Sequence, residues 1–142
     1  MFIDETASYL EPNQGDAGTC YFAASISGAA EYPELITDMF ITGIEDNVAG
    51  IYMIKFFIRG KPWLVTVDEK LLFDTINDEP VHMNPADNGA MWAVIMEKAW
   101  AKAKGSYGQA NGGFVVSGLR AVTGAPTFTY ILDDDDYSLT SD

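Results

Sequence analysis

Residues 20–32, CYFAASISGAAEY, read as a helical run built largely from small side chains. Alanine and glycine let other backbones come close, so Phe22, Ala23, Ile26, Ala29 and Ala30 predict a helix packed on several sides. A chain carrying such a helix has to wrap its other elements around it. The run starts at Cys20, the single cysteine of the sequence, directly after the polar turn NQGDAG. A thiol at a helix start faces backbone N–H groups and the positive end of the helix dipole, which favour a thiolate. The alternative is a buried structural cysteine, the commoner fate of a lone thiol.

The elements expected around this helix follow in order. Residues 1–13 form an irregular lead-in, with Pro12 and Asn13 marking a turn. Pro33 opens a second short helix, PELITDMFI, whose Leu35, Ile36, Met39 and Phe40 fall at helical spacing before Gly43 ends it. The period then changes to two. Tyr52, Ile54, Phe56 and Ile58 share one face of a strand, and Trp63, Val65 and Val67 share one face of the next, so GIYMIKFFIRGKPWLVTVD predicts an antiparallel hairpin turning at residues 59–62. The stretch FDTINDEPVHMNPADNG reads as a long surface loop.

Asp87 or Asn88 is placed to cap a helix over 90–104, with Trp92, Ile95, Met96, Ala99 and Ala103 as its core stripe and Gly105 as its stop. Lys98, Lys102 and Lys104 on that helix read as a solvated face. Beyond Gly112-Gly113, Phe114, Val115, Leu119 and Val122 predict a short helix ending at Gly124, and TFTYIL over 127–132 predicts one strand. The fold class is α+β. The acidic end, DDDDYSLTSD, reads as disordered or as a linker.

Charge narrows the function classes. Asp and Glu outnumber Lys and Arg 21 to 8, a formal net charge of −13, which opposes binding to nucleic acid or anionic membrane and suits a cationic partner or calcium. One cysteine excludes an internal disulfide framework and fits a reducing compartment, taken here as the cytoplasm. The first residues carry Asp4 and Glu5 and no basic segment, so no signal peptide is expected, and no apolar run nears the roughly 18 residues of a spanning helix.

Three ordered blocks resemble the calpain family of papain-like cysteine endopeptidases. Gln14, Gly15, Gly18 and Cys20 stand at the spacings of that family's nucleophile motif, Gln-Gly-x-Leu-Gly-Asp-Cys-Trp. GIYMIKFFIRGKPWLVTVDEKL resembles its hairpin, and MWAVIMEKAWAKAKGSYGQANGG its Trp-containing helix. The resemblance covers residues 11–124 and implies a papain-like half domain, the first of two protease subdomains, over 1–125, with 126–142 as a strand plus acidic tail or linker toward a second. It implies Cys20 as nucleophile and Gln14 as an oxyanion-hole donor alongside the Cys20 amide.

The departures from the family pattern are as informative as the matches. In papain-like enzymes the catalytic histidine and asparagine follow the cysteine by about 130–150 residues, beyond Asp142 here. His82, the only histidine, sits in the long loop and reads as an exposed residue with no catalytic role. Thr19 and Tyr21 replace the family's Asp and Trp on either side of Cys20. Glu11 stands where the family has an acidic calcium ligand, but the second acidic position is Ala90, with Asp87 nearby as a substitute.

Two functions stay open on these grounds. One is an endopeptidase segment that acts on polypeptides and takes His and Asn from a second subdomain or a neighbouring chain. The other is a catalytically inactive structural or interaction subunit of a larger assembly, with a calcium-responsive module as a weaker third.

Overall fold

The computed structural model describes residues 7–15, 17–43, 48–76 and 79–130. Helix α1 (Cys20–Ala29) lies at the centre, as its composition predicts: Tyr21, Phe22, Ala23, Ser25, Ile26 and Ala29 are all buried. Its closest neighbour is α5 (Val115–Thr123), where Gly118 removes the side chain that would otherwise meet Ser25. The Ser25 hydroxyl lies 2.7 Å from the carbonyl oxygen of Tyr21 and 2.9 Å from that of Val115, which ties α1 to the start of α5. Helix α2 (Pro33–Thr37) is shorter than its apolar spacing suggests. Met39 and Phe40, expected in that helix, instead lie beside the sheet, with the amide of Lys55 donating to Met39 O and Phe40 bridging to Ile54.

Strands β1 (Ile51–Ile58) and β2 (Lys61–Asp68) pair antiparallel in full register from Ile51↔Asp68 to Ile58↔Lys61. The turn is tighter than expected. Only Arg59 and Gly60 lie outside the strands, both with positive φ (52° and 74°), the backbone of a two-residue turn whose twist matches the strands. Tyr52, Ile54, Phe56, Val65 and Val67 face the core, whereas Ile58 and Trp63 reach past its edge and are exposed. Within the predicted surface loop, β3 (Phe73–Asp74) and β4 (Glu79–Pro80) form a minimal antiparallel pair.

Helix α3 (Trp92–Lys104) closes the core from the other side, ending at Gly105, and a single turn, α4 (Tyr107–Ala110), follows. Phe22 of α1 stacks on Trp100 of α3 (centroids 5.0 Å apart, rings 3° from parallel), and Phe56 of β1 meets both edge-on at 6.2 and 5.5 Å. One aromatic cluster thus fixes central helix, sheet and α3 to each other. The lysines of α3 are not simply solvated. Lys98 pairs with Asp68 and also donates to Lys70 O, Lys102 donates to Thr66 O at 2.7 Å, and Lys104 sits 5.5 Å over the Trp100 ring. Lys98 accordingly holds the Asp68 carboxyl below its usual range.

Two further expectations need correction. The helix start is capped by neither Asp87 nor Asn88: Met91 occupies the N-cap, and Asn88 turns its Oδ1 to the amide of Ala90 one step earlier. Residues 127–130 form no strand: the Thr127 carbonyl, which a strand neighbour would need, accepts from Arg120, and the Thr127 hydroxyl accepts from Arg120 and donates to the Val116 carbonyl of α5. Residues 131–132 and the acidic end lie outside the described residues. The result is an α+β fold with the papain-like arrangement of a central helix against other helices and a small antiparallel sheet. Among the described residues no helix is long and apolar enough to cross a membrane.

Candidate active site

Cys20 is the first residue of α1 and its side chain is exposed. The carbonyl of Thr19, the N-cap, accepts from the amides of Phe22 and Ala23. The Thr19 side chain makes no capping bond to the helix; its hydroxyl instead donates to the carboxylate of Glu97 on α3. The amide of Cys20 has no hydrogen-bond acceptor among the described residues. The local build therefore presents a solvent-facing thiol at a helix N-terminus, where the dipole favours negative charge.

Gln14 is exposed six positions before Cys20, and its side-chain amide donates to Ala17 O at 3.0 Å, inside the same turn. Behind that turn runs the segment 81–84. The amide of Asn84 donates to Asn13 O at 2.7 Å, and Gly15 lies so close to the carbonyl of His82 that any Cβ would overlap it. Only glycine fits between Gln14 and residue 16.

His82 is half-buried, contrary to its expected exposure, with its ring stacked on Tyr107 at 3.6 Å. Its Nδ1 is buried without a hydrogen-bond partner. Burial pushes its pKa below the usual histidine value, against the opposing pull of the Glu97 charge, and pushes Tyr107 up to about 12. A neutral imidazole stacked on a phenol is a packing element of the wall behind Gln14.

Glu11 is buried and its carboxylate is occupied by N–H donors: Ser8 N (2.9 Å) and Trp92 Nε1 (2.5 Å) on Oε2, and Asn88 Nδ2 (2.7 Å) on Oε1. It pins the lead-in to the start of α3. A cleft of ≈ 640 Å³ adjoins it, lined in part by Asp87 and Asn88. Calcium needs six to eight oxygen ligands, yet Ala90 offers no side-chain oxygen and the described residues bring together no group of three His, Cys, Asp or Glu. Both Glu11 oxygens are already taken by N–H donors, so its carboxylate serves as a structural acceptor in this arrangement.

Sequence reasoning missed Glu97 and the role of Tyr21. Glu97 is only 1% exposed and takes both Thr19 Oγ1 and, at 2.7 Å, the amide of Met83. The signal was present: Glu97 stands four residues from both Ala93 and Ala101, on a face that is buried. Tyr21, in place of the family's tryptophan, accepts from Trp100 Nε1 and donates to Ala110 O, each at 2.9 Å.

The family model for "Calpain family cysteine protease" matches residues 1–141. The chain belongs to the calpain family. Similar calpains include calpain clp-4 of Caenorhabditis elegans, 32% identical over 89% of this chain and 18% of its own length. Calpain-B of Drosophila melanogaster is 30% identical over 92% of this chain and 14% of its own, and the calpain-2 catalytic subunit of Gallus gallus is 30% identical over 87% and 18%. The chain thus spans less than a fifth of the length of these calpains.

Proposed function

We propose that this chain is the nucleophile half of a calpain-like cysteine endopeptidase. Cys20 sulfur, as thiolate, attacks the carbonyl carbon of a peptide bond and forms a C–S bond, while the carbonyl oxygen takes the negative charge. The Cys20 amide and the Gln14 side-chain amide receive that oxyanion, with one such donor worth about 3 kcal/mol of transition-state stabilisation. Collapse expels the amine, which carries a proton from a histidine held by an asparagine, and water then releases the acyl group. Histidine and asparagine come from a second subdomain outside these residues, on the same polypeptide or a neighbouring one, toward which residues 126–142 lead.

The observation that carries this reading is the exposed Cys20 thiol at the first position of α1, beside an amide with no acceptor among the described residues. An active-site-directed peptidyl epoxide should label Cys20 far faster once a polypeptide carrying the second subdomain is added. Equal labelling rates with and without it would sink the proposal.

A second reading is a non-catalytic calpain-like subunit of a larger assembly. The fold of Gln14 back onto Ala17 O favours it, since that bond turns the side-chain amide into its own turn and uses one of its two N–H donors. Assembly-dependent stability without epoxide labelling would support it.

A further inference from the structure

The turn from Gln14 to Cys20 carries both proposed oxyanion donors, and one buried carboxylate reaches both of its ends. Glu97 Oε1 accepts the hydroxyl of Thr19, the residue just before the nucleophile. Glu97 Oε2 accepts the amide of Met83 at 2.7 Å, and Met83 sits between two residues that back the far end of the turn. His82 lays its carbonyl against Gly15, and Asn84 donates to Asn13 O. A threonine at an N-cap ordinarily turns its oxygen to the helix amides. Thr19 does not: its hydroxyl goes to Glu97, and the start of α1 is left without a side-chain cap.

We infer that Glu97 is a positioning residue for the nucleophile turn: it holds Thr19 and the Met83 backbone at once, sets the separation of Gln14 from Cys20, and keeps the Thr19 hydroxyl off the first amides of α1. The inference rests on the reading of Cys20 as nucleophile. One Glu97 oxygen takes the Thr19 hydroxyl and the other the Met83 amide. Glutamine can keep both bonds, with its oxygen on the Met83 amide and its NH₂ donating to the Thr19 hydroxyl, which accepts as well as donates; leucine keeps neither. Glu97 touches neither substrate nor sulfur and acts through Thr19 and Met83.

The test measures alkylation of Cys20 by iodoacetamide at fixed pH in the 142-residue chain, beside the melting temperature. Glu97→Leu and Thr19→Val should each slow alkylation about fivefold, the scale of helix-terminus electrostatics, while Glu97→Gln should stay close to wild type. Thr19→Ser, which restores the hydroxyl, should stay within about twofold of wild type, and the double variant should be no slower than the slower single variant because both cut one linkage. Val67→Ala, a core truncation on β2, controls for lost stability and should leave the rate unchanged.

Rates in Glu97→Leu and Thr19→Val that match Thr19→Ser, or that fall only as far as Val67→Ala at equal melting temperature, overturn the inference. Should one of the two variants fail to fold, the other decides alone by the same criterion. Epoxide labelling that ignores the second subdomain would remove the nucleophile reading, whereas a responsive Cys20 indifferent to Glu97→Leu removes only the positioning role.

Discussion

Glu11 shows what a buried carboxylate does in this fold. Its oxygens take the indole of Trp92, the amide of Ser8 and the side chain of Asn88. Glu11→Gln turns an NH₂ toward one of those donors, so unfolding in urea should show a loss of about 2 kcal/mol, the cost of breaking hydrogen bonds to a buried charged acceptor. Added calcium should leave the melting temperature of wild type unchanged. His82 permits a sharper test. Its folded pKa lies below the unfolded value of 6.5, chiefly through burial, so the unfolded chain binds more protons as pH falls. The stabilisation from the neutral ring is complete above 6.5 and is lost as pH drops toward the folded pKa. Between pH 7.5 and 5.5, wild type should therefore lose more melting temperature than His82→Phe, which keeps the stack on Tyr107 without a titrating group. Parallel losses in the two proteins would contradict this.

Among the elements, the legibility of the sequence followed the range of the forces involved. The hairpin and α3 were readable because alternation and helical spacing are local, and both occur close to their expected bounds. The end of α2 and the expected strand over 127–132, described as far as residue 130, were not: Phe40 is taken by Ile54 of the sheet, and the Thr127 carbonyl by the side chain of Arg120 on α5, partners that local periodicity does not reveal. Glu97 carried a weak local signal in its spacing from Ala93 and Ala101, but the donors that make a buried charge tolerable, Thr19 and the Met83 amide, lie elsewhere in the chain. Packing of α1 against α5 gives a paired prediction. Gly118→Ala gains about 1 kcal/mol of helix propensity but sets a Cβ against the Ser25 side chain, and overpacking costs about 1–3 kcal/mol, so the net should be destabilising. Gly28→Ala on α1 meets nothing within 4 Å and should gain the propensity alone. Chemical denaturation of the two variants should move the midpoint in opposite directions.

At the scale of the whole molecule, a net charge of −13 on 142 residues repels itself. Screening shortens the Debye length to about 10 Å at 0.1 M salt, so raising sodium chloride from 10 to about 150 mM should increase the melting temperature, with no need for any specific ion. A fall would mean that pairs such as Lys98–Asp68 outweigh the general repulsion. The links around Cys20 are long in sequence: Thr19 to Glu97 spans 78 residues and Tyr21 to Trp100 spans 79. During synthesis the segment bearing the thiol therefore leaves the ribosome well before the helix that shapes it. The hairpin can close early on local contacts, but Cys20 acquires its setting only after α3 has emerged and docked. A nascent chain arrested before Trp92 should carry a thiol with the reactivity of an unstructured peptide, and the rate at which iodoacetamide alkylates it, beside that of the released chain, checks this.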